Sequence, residues 1–351
     1  MEPLILEYIW VGGNTELRSK TKVLKCDDST LLNISLGKLI VVDTDKDFIL
    51  PDWNFDGSST WQATGEDSEV ILKPMRVYRN PFATVNDSYL VLCETYLPDG
   101  DPHYSNTRAQ AKRVFNEYFD HYSMFGIEHE FFVINTETKR PVGFPIDNDP
   151  DPQGPYYCSV GYSNTQLREF LDTTLHKCLE ANLNVTGYNL EVCPGQCEIQ
   201  ICAENIRAAD DSLIFKYIVQ RLGESYKYDI DFSAKPVKGD WNGSGCHVNF
   251  STKTMREPNG YEEILKAIKK LELKHKEHIE VYGIDNVERL TGNHETSDIN
   301  SFSYGVANRG CSVRIPRSTL EKNCGYFEDR RPSSSADMYI VTSKIAQTCI
   351  Q

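Results

Sequence analysis

The chain has no run of about 18 consecutive apolar residues, the length a helix needs to cross a bilayer, so no membrane span is expected. Basic residues are also in short supply. Against 51 acidic residues stand 37 lysines and arginines, a formal net charge of −14. General nucleic-acid and anionic-membrane binders need the opposite balance, so neither partner is expected. Neither a Walker A sequence nor a G-x-G-x-x-G fingerprint occurs, so a nucleotide would be held by metals and arginines rather than by a phosphate loop. The 11 cysteines include no C-x-x-C pair. Their odd number suits reduced thiols in the cytoplasm better than a disulfide framework. Cys193, Cys197 and Cys202 cluster, but without zinc spacing, and read as small buried residues. The opening Met1-Glu2-Pro3-Leu4-Ile5-Leu6-Glu7 lacks the basic stretch and the longer apolar core of a signal peptide. No internal repeat and no low-complexity tract interrupts the chain.

What is present suits a globular protein of two domains. The 351 residues are 40% hydrophobic and 25% charged, enough for a full core. The first hundred residues read as short strands, clearest at Tyr8–Val11, Leu39–Val42 and Tyr89–Leu92, with a polar loop, Asn54–Thr60, between Trp53 and Trp61. Turn formers at Leu97–Pro102 mark a domain boundary. Helical periodicity then appears over Thr107–Tyr122 and through Ile206, Leu213, Tyr217 and Ile218. It recurs over Tyr261–Tyr282 and on a face of Leu167, Phe170, Leu171, Leu175, Cys178 and Leu179 that Asn164 would cap. Strand-like segments alternate with these at Gly126–Ile134, Asn189–Cys202, Cys246–Ser251 and Cys311–Ile315. The order implies a small β-rich domain followed by a larger α+β domain.

The most informative segment is Asn242-Gly-Ser-Gly-Cys-His-Val-Asn-Phe-Ser251. A glycine turn feeds a strand on which His247, Asn249 and Ser251 point one way, and Val248 and Phe250 the other. Glu128 and Glu130 also share one strand face, while His129 points away into packing. A Glu-x-Glu pair is ordinarily a solvated face, but Phe125, Ile127, Phe131, Phe132 and Val133 turn this strand inward. Glu191-Val-Cys-Pro-Gly-Gln-Cys-Glu198 reads as a hairpin with Pro194-Gly195 at its tip. Glu191 would then oppose Glu198, an unfavourable pairing without a cation or proton between them. Pro-Gly favours a type II turn, less usual in tight hairpins. Four carboxylates and one imidazole suggest Mg²⁺ or Mn²⁺, the imidazole leaning towards Mn²⁺.

Between Glu288 and Arg331 the basic residues are Arg289, Arg309, Arg314, Arg317, Lys322, Arg330 and Arg331. Arginine's planar fork suits bidentate binding of carboxylates and phosphates. Surface ion pairs are the ordinary fate of such residues. Their setting among Gly, Ser and Asn loops, and the acid in Glu328-Asp-Arg-Arg-Pro332, favours a metal–phosphate pocket.

Taken in order, Trp53–Thr60, Gly154–Tyr157, Asn242–His247, Arg289–Ser297, Gly305–Arg309 and Gly325–Ser333 resemble the glutamine synthetases, in their shorter eukaryotic-type form, over nearly the whole chain. The resemblance implies a β-grasp domain over residues 1–104. It implies a catalytic domain over 105–351, with an antiparallel active-site sheet flanked by helices. It implies ATP-dependent ligation of ammonia to the γ-carboxylate of L-glutamate through γ-glutamyl phosphate. By resemblance, Glu130, Glu191 and Glu198 would hold the metal near glutamate, and Glu128, His247 and Glu328 the metal on the ATP phosphates. Arg289 and Arg330 would clamp glutamate and phosphate, Asn242 and Gly243 would line the glutamate site, and Arg309 and Arg314 would face the phosphates. Asn249, Ser251 and Tyr326 would line the nucleoside. Asp56 would help deprotonate ammonium in a neighbouring subunit's site, and Glu295 would close the site and accept a later proton. The family also implies a homo-oligomer of stacked rings, a decamer, with intersubunit sites. Two alternatives stay open: a γ-glutamyl-amine ligase on the same fold, and a non-catalytic structural homologue.

The chain departs from the family in a few places. It begins almost at its first strand, without the helical extension of many eukaryotic members, and its carboxyl end is short. Met124 stands where relatives often carry Trp. Asp240 stands where Asn is common, adding a negative charge and an expected modest loss of glutamate affinity.

Overall fold

The computed structural model describes residues 2–26, 50–84 and 87–351. They pack as two units, the first reaching Gln110 and adding Lys177–Asn182. Its sheet comprises β1 (Glu2–Val11), β2 (Leu17–Cys26), β3 (Trp53–Asp56), β4 (Glu69–Arg79) and β5 (Ser88–Tyr96), in the order β2-β1-β5-β4-β3. Only β1 and β5 run parallel. Leu4, Leu6, Tyr8 and Trp10 alternate along β1 and are buried against Val70, Leu72, Tyr89 and Val91, the period-two pattern of a one-sided core. The expected strands Tyr8–Val11 and Tyr89–Leu92 fall in β1 and β5, while Leu39–Val42 lies outside the described residues. The Asn54–Thr60 segment is not wholly loop. Its first half pairs with β4 as an edge strand, and only Gly57–Thr60 leaves the sheet, as a 3₁₀ turn that Asp56 caps.

The second unit, Ala111–His176 and Leu183–Gln351, contains the larger sheet. Its strands are β6 (Met124–Asn135), β7 (Val185–Leu190), β8 (Gln196–Glu204), β9 (Tyr228–Asp231), β10 (Cys246–Ser251), β11 (Tyr304–Val306), β12 (Val313–Ile315) and β13 (Phe327–Asp329). They lie in the order β11-β12-β13-β10-β6-β8-β7, with β9 also on β6, and only β11–β12 is parallel. Helix α1 (Thr107–Glu117) leads into β6; α2 (Arg168–Glu180), α3 (Ile206–Tyr226), α4 (Lys253–Arg256), α5 (Tyr261–Leu273), α6 (His275–Ile279), α7 (Arg317–Lys322) and α8 (Met338–Ile350) follow. One face of the sheet carries Phe125, Ile127, Cys246, Val248, Phe250, Val313 and Phe327. These share one core with Ala208, Ile264, Ile268, Val341 and Ile345 of α3, α5 and α8. Each buried Phe, Ile or Val among them contributes about 1.5–3 kcal/mol. The opposite face is thereby left for polar chemistry.

Several local expectations change. The long helix from Tyr261 breaks at Lys274, whose ψ of 19° ends α5 before α6 begins. Helix α2 starts at Arg168, beyond Asn164, whose amide donates instead to the Val160 carbonyl, and Leu179 is exposed. Cys202 is exposed because it shares the polar face with Glu198; Cys193 and Cys197 are buried as expected. The ten cysteines from Cys93 to Cys349 are free thiols.

Candidate active site

Residues two apart on a strand share a face, and residues directly paired across a ladder share it too. These two rules assemble the polar face. Pairing of β6 with β10 sets Glu128 opposite His247, and pairing with β8 sets Glu130 opposite Glu198. Glu328 of β13 stands between Asn249 on one side and Arg314 on the other. The β7–β8 hairpin forms in a different register from the one expected. Asn189 faces Glu198, and the Glu191 amide bonds the Gln196 carbonyl, so Glu191 lies in the connection rather than across from Glu198. Like charges do oppose each other directly here, but the pair is Glu130 and Glu198, across the neighbouring ladder.

The ligand-capable atoms of Glu130, Glu191 and Glu198 lie within 4.8 Å of one another, and so do those of Glu128, His247 and Glu328. His247 Nδ1 is 3.3 Å from Glu128 Oε2 and 3.5 Å from Glu328 Oε1. Neutral donors orient the carboxylates. Gln200 donates to Glu198 (2.7 Å), Asn189 to Glu191 (3.0 Å) and Asn249 to Glu128 (2.8 Å), while the Gly245 amide and Gln196 both reach Glu130 Oε2 (2.8 and 3.1 Å). A side chain at Gly245 would displace the groups of the site. A Cβ there would come within 2.7 Å of both Arg289 Nη2 and His247 Nε2.

Burial first, and then the charges of Glu128 and Glu130, push Glu198 up to about 8. Glu191 is driven well above the usual carboxylate range by burial and then by Glu130 and Glu198. Burial also raises Glu130, against the downward pull of Arg289. His247 is held neutral, its pKa well below the ordinary value through burial and then Arg330. Converging oxygens with one neutral imidazole are the donor set of hard divalent cations, so both triads fit such ions.

Arginines face the acids across one cavity, which is lined by Glu128, Glu130, Glu191, Glu198, Glu295 and Glu328 together with Arg289, Arg309, Arg314 and Arg330. Six carboxylates thus meet four guanidinium groups. Arg314 and Arg330 each bond Glu328 at 2.6 Å. Arg289 is buried, donates to the Arg330 carbonyl at 2.8 Å, and is lowered to about 10 by burial. Arg309 is exposed and pairs with Glu295 at 3.2 Å. The remaining basic residues of this stretch do other things. Arg331 is buried between the rings of Tyr282 and Phe302 and pairs with Asp329 at 2.7 Å, while Arg317 and Lys322 lie exposed in α7.

Asn242 and Gly243 line the same cavity, and Asn242 Oδ1 accepts from Gln153 at 2.8 Å. The cavity lining does not include Asn249, Ser251, Tyr326 or Asp56. Asn249 stands behind Glu128, Ser251 Oγ accepts from Arg256 at 2.9 Å, and Tyr326 is exposed ahead of β13. Asp56 belongs to the first unit, where the hydroxyls of Ser58 and Ser59 lower its pKa. Tyr157, Asn189, Gln200, His294 and Thr296 line the cavity without having been singled out from the sequence. The period-two rule would have found Gln200, two residues beyond Glu198.

The sequence pattern of the family described as "Glutamine synthetase, catalytic domain" matches residues 104–277. Similarity to curated proteins extends further. A cytosolic glutamine synthetase isozyme of Pinus sylvestris is 46% identical over 353 aligned residues, covering 99% of this chain and 94% of its own. Cytosolic isozyme 1-1 of Arabidopsis thaliana is 47% identical, and isozyme 2 of Vitis vinifera 46%, each with the same coverage.

Proposed function

The chain belongs to the glutamine synthetase family, and we propose that the cavity on its larger sheet is where it joins ammonia to the γ-carboxylate of L-glutamate at the expense of ATP. The observation that carries the assignment of site is the pair of triads sharing one wall and faced by arginines. All six ligand positions are intact, which argues against a chain that has kept the fold and lost the chemistry.

In the first step a γ-carboxylate oxygen of glutamate attacks the γ-phosphorus of ATP, and ADP leaves. In the second, ammonia attacks the acyl carbon, phosphate departs, and a proton is lost. Divalent cations, Mg²⁺ or Mn²⁺, held by Glu130, Glu191 and Glu198 and by Glu128, His247 and Glu328, would neutralise phosphoryl charge. The chain's own residues do the rest. Arg289, with Asn242 and Gly243, forms the glutamate end of the cavity. Arg309 is exposed and held mainly by Glu295, so it can turn to a phosphoryl oxygen, and Arg314 has a buried Nε–H with no partner to offer the same charge. Arg330 fixes Glu328 and touches the phosphoryl group. Glu295, beside the cavity mouth, takes the proton from the ammonia adduct. Asn249, Ser251 and Tyr326 lie towards the nucleoside.

Asp56 stays ionised at the pH of the reaction, its pKa held down by the Ser58 and Ser59 hydroxyls. It acts as proton acceptor in the cavity of a neighbouring copy, within a decamer of stacked rings. The domain division falls near residue 104, a β-grasp domain preceding the catalytic one. The cytosolic names of the relatives and the unpaired cysteines support a cytoplasmic location. The test is formation of glutamine and ADP from glutamate, ATP and ammonium, with and without Mg²⁺ or Mn²⁺. Turnover that needs both ammonium and a divalent ion is expected. Equal turnover with another amine and none with ammonium would refute this reading in favour of a γ-glutamyl-amine ligase.

A further inference from the structure

Asp240, the acid that stands where relatives often carry Asn, is not left facing the substrate: its Oδ1 lies 3.2 Å from His294 Nε2. The two residues belong to different loops of the same cavity. Asp240 precedes Trp241, Asn242 and Gly243 on a firmly held loop. Trp241 is buried against Phe144 and Tyr156, and the Lys235 ammonium bonds its carbonyl. His294 precedes Glu295 on a loop closed by the Thr291–Asp298 bridge.

That second loop is strained. His294 and Glu295 are consecutive non-glycine residues with φ of 51° and 61°, a left-handed conformation that L-residues adopt only when something outside holds them. Three contacts do so: Arg330 donates to the Glu295 carbonyl at 3.3 Å, Arg309 pairs with the Glu295 carboxylate at 3.2 Å, and Asp240 pairs with His294. Two of the three use arginines that the proposed reaction recruits to phosphoryl groups. Only the Asp240 contact joins the strained loop to the glutamate loop without touching the reacting groups. Of the neighbouring cations, Lys238 pairs with Glu288, and Lys235, whose ammonium bonds the Trp241 carbonyl, feels the Asp240 charge without bonding it.

We propose that Asp240 and His294 are positioning residues, a latch that keeps the Glu295 loop closed over the acyl phosphate while Arg309 is engaged elsewhere. The inference rests on the glutamine-forming reading of the cavity. With the latch open, water replaces ammonia as nucleophile. It adds to the acyl carbon, the carbon–oxygen bond to phosphate breaks, and glutamate and phosphate are released, wasting the ATP.

The measurement is the ratio of ammonium-independent ADP release to glutamine formation in the full-length enzyme. Asp240 is 77% exposed at its side chain, so the contact, an ion pair only while the His294 ring carries both protons, is worth at most what surface ion pairs are worth. Asp240→Ala should raise the ratio about 1.5- to 5-fold at low salt. His294→Ala should do the same, the double variant no more than either single one, and Asp240→Asn, which keeps the shape and removes the charge, should reproduce the effect. Moving from about 50 mM to about 500 mM salt should bring the wild-type ratio up to the variants'. An unchanged ratio in Asp240→Asn and His294→Ala, or additive effects in the double variant, overturns the latch while leaving glutamine formation in place. Failure of the wild type itself to form glutamine overturns both readings.

Discussion

Replacing Glu198 by Gln should make the metal-free protein more stable above neutral pH, although it removes a proposed metal ligand. In the folded chain Glu198 is raised from 4.5 to about 8. Between those values the folded state keeps a proton that the unfolded state has released, so stability is present below pH 4.5 and lost as pH rises through the window. At about 1.36 kcal/mol per pH unit, the whole window is worth up to ~5 kcal/mol. Glu130 and Glu191 are raised too and add with the same sign. His247 and the buried His129 and His278 are lowered, which acts in the opposite direction, but only below their unfolded value of 6.5. Buried thiols such as Cys93 and Cys197, raised from 9.0, begin to contribute above pH 8. The clean interval is therefore pH 7 to 8. There Glu198 alone should cost the metal-free wild type about 1 kcal/mol, or roughly 1–2 °C in unfolding midpoint for a chain of this size. Glu198→Gln should flatten the slope by that amount and unfold several degrees higher at pH 8. The assay is thermal unfolding in chelator at fixed protein concentration, since assembly makes midpoints concentration-dependent. Adding Mg²⁺ should stabilise the wild type more at pH 8 than at pH 7, because the ion no longer competes with a bound proton. Equal midpoints for the metal-free wild type at both pH values, or an unchanged slope in Glu198→Gln, would refute the raised Glu198 carboxyl that burial and its neighbours produce.

Gln200→Ala removes the donor that orients Glu198 and should weaken Mn²⁺ binding about tenfold or more, measured by electron spin resonance titration; unchanged affinity would show that Glu198 needs no such support. Arg331→Met leaves Asp329 charged, buried and without its guanidinium partner, and should cost about 3–5 kcal/mol. Adding Asp329→Asn should recover part of the lost unfolding midpoint, and no recovery would mean that Arg331 acts by packing alone. If Asp56 completes a neighbouring copy's cavity, mixed oligomers of Asp56→Ala and Glu128→Ala subunits should regain activity that neither variant has alone. Absence of rescue in verified mixtures would place Asp56 elsewhere.

What could be read from the sequence follows from which physical signals are local. Period-two alternation placed Glu128 with Glu130 and His247 with Asn249 correctly, because a buried strand's own neighbours fix its facing. The hairpin register could not be read that way. Pro194-Gly195 does turn the chain, with Gly195 at a φ of 85° and the Gln196 amide on the Cys193 carbonyl, as a type II turn requires. The ladder beyond it is offset, however, Asn189 rather than Glu191 facing Glu198, and β8 is also committed to pairing with β6. A turn signal within one strand pair cannot report a constraint from outside it. Gln196, Gln200 and Asn189 passed unnoticed because a neutral amide looks the same in sequence whether it faces water or steadies a carboxylate. The arginine-rich end sorted itself only in three dimensions. Arg330 faces the cavity and its neighbour Arg331 the interior, where Tyr282, Phe302 and His275, distant in sequence, surround it.

The cavity's charge gives these separate readings a common cause. With His247 neutral and all six glutamates ionised, they and the four arginines leave a formal excess of two negative charges. Glutamate and a nucleotide triphosphate are both anions and would enter such a cavity against its field. After burial, the larger cause, the same crowding of carboxylates helps push Glu198 up to about 8 and drive Glu191 higher than an ordinary carboxylate. Protons, cations and arginine side chains therefore compete to balance one deficit. Two divalent ions would reverse its sign, from two negative to two positive, and only then would the field draw the substrates in. Metal loading ahead of ATP and glutamate is thus an electrostatic requirement of the residues themselves. It predicts that the apparent affinity for both anions falls together when metal is limiting. Lowering the pH from 8 to 7 in chelator, which partly neutralises the same carboxylates, should weaken anion exclusion in the same direction. Nucleotide binding that stays equally tight in chelator and in saturating Mg²⁺, measured by titration calorimetry, would refute this account.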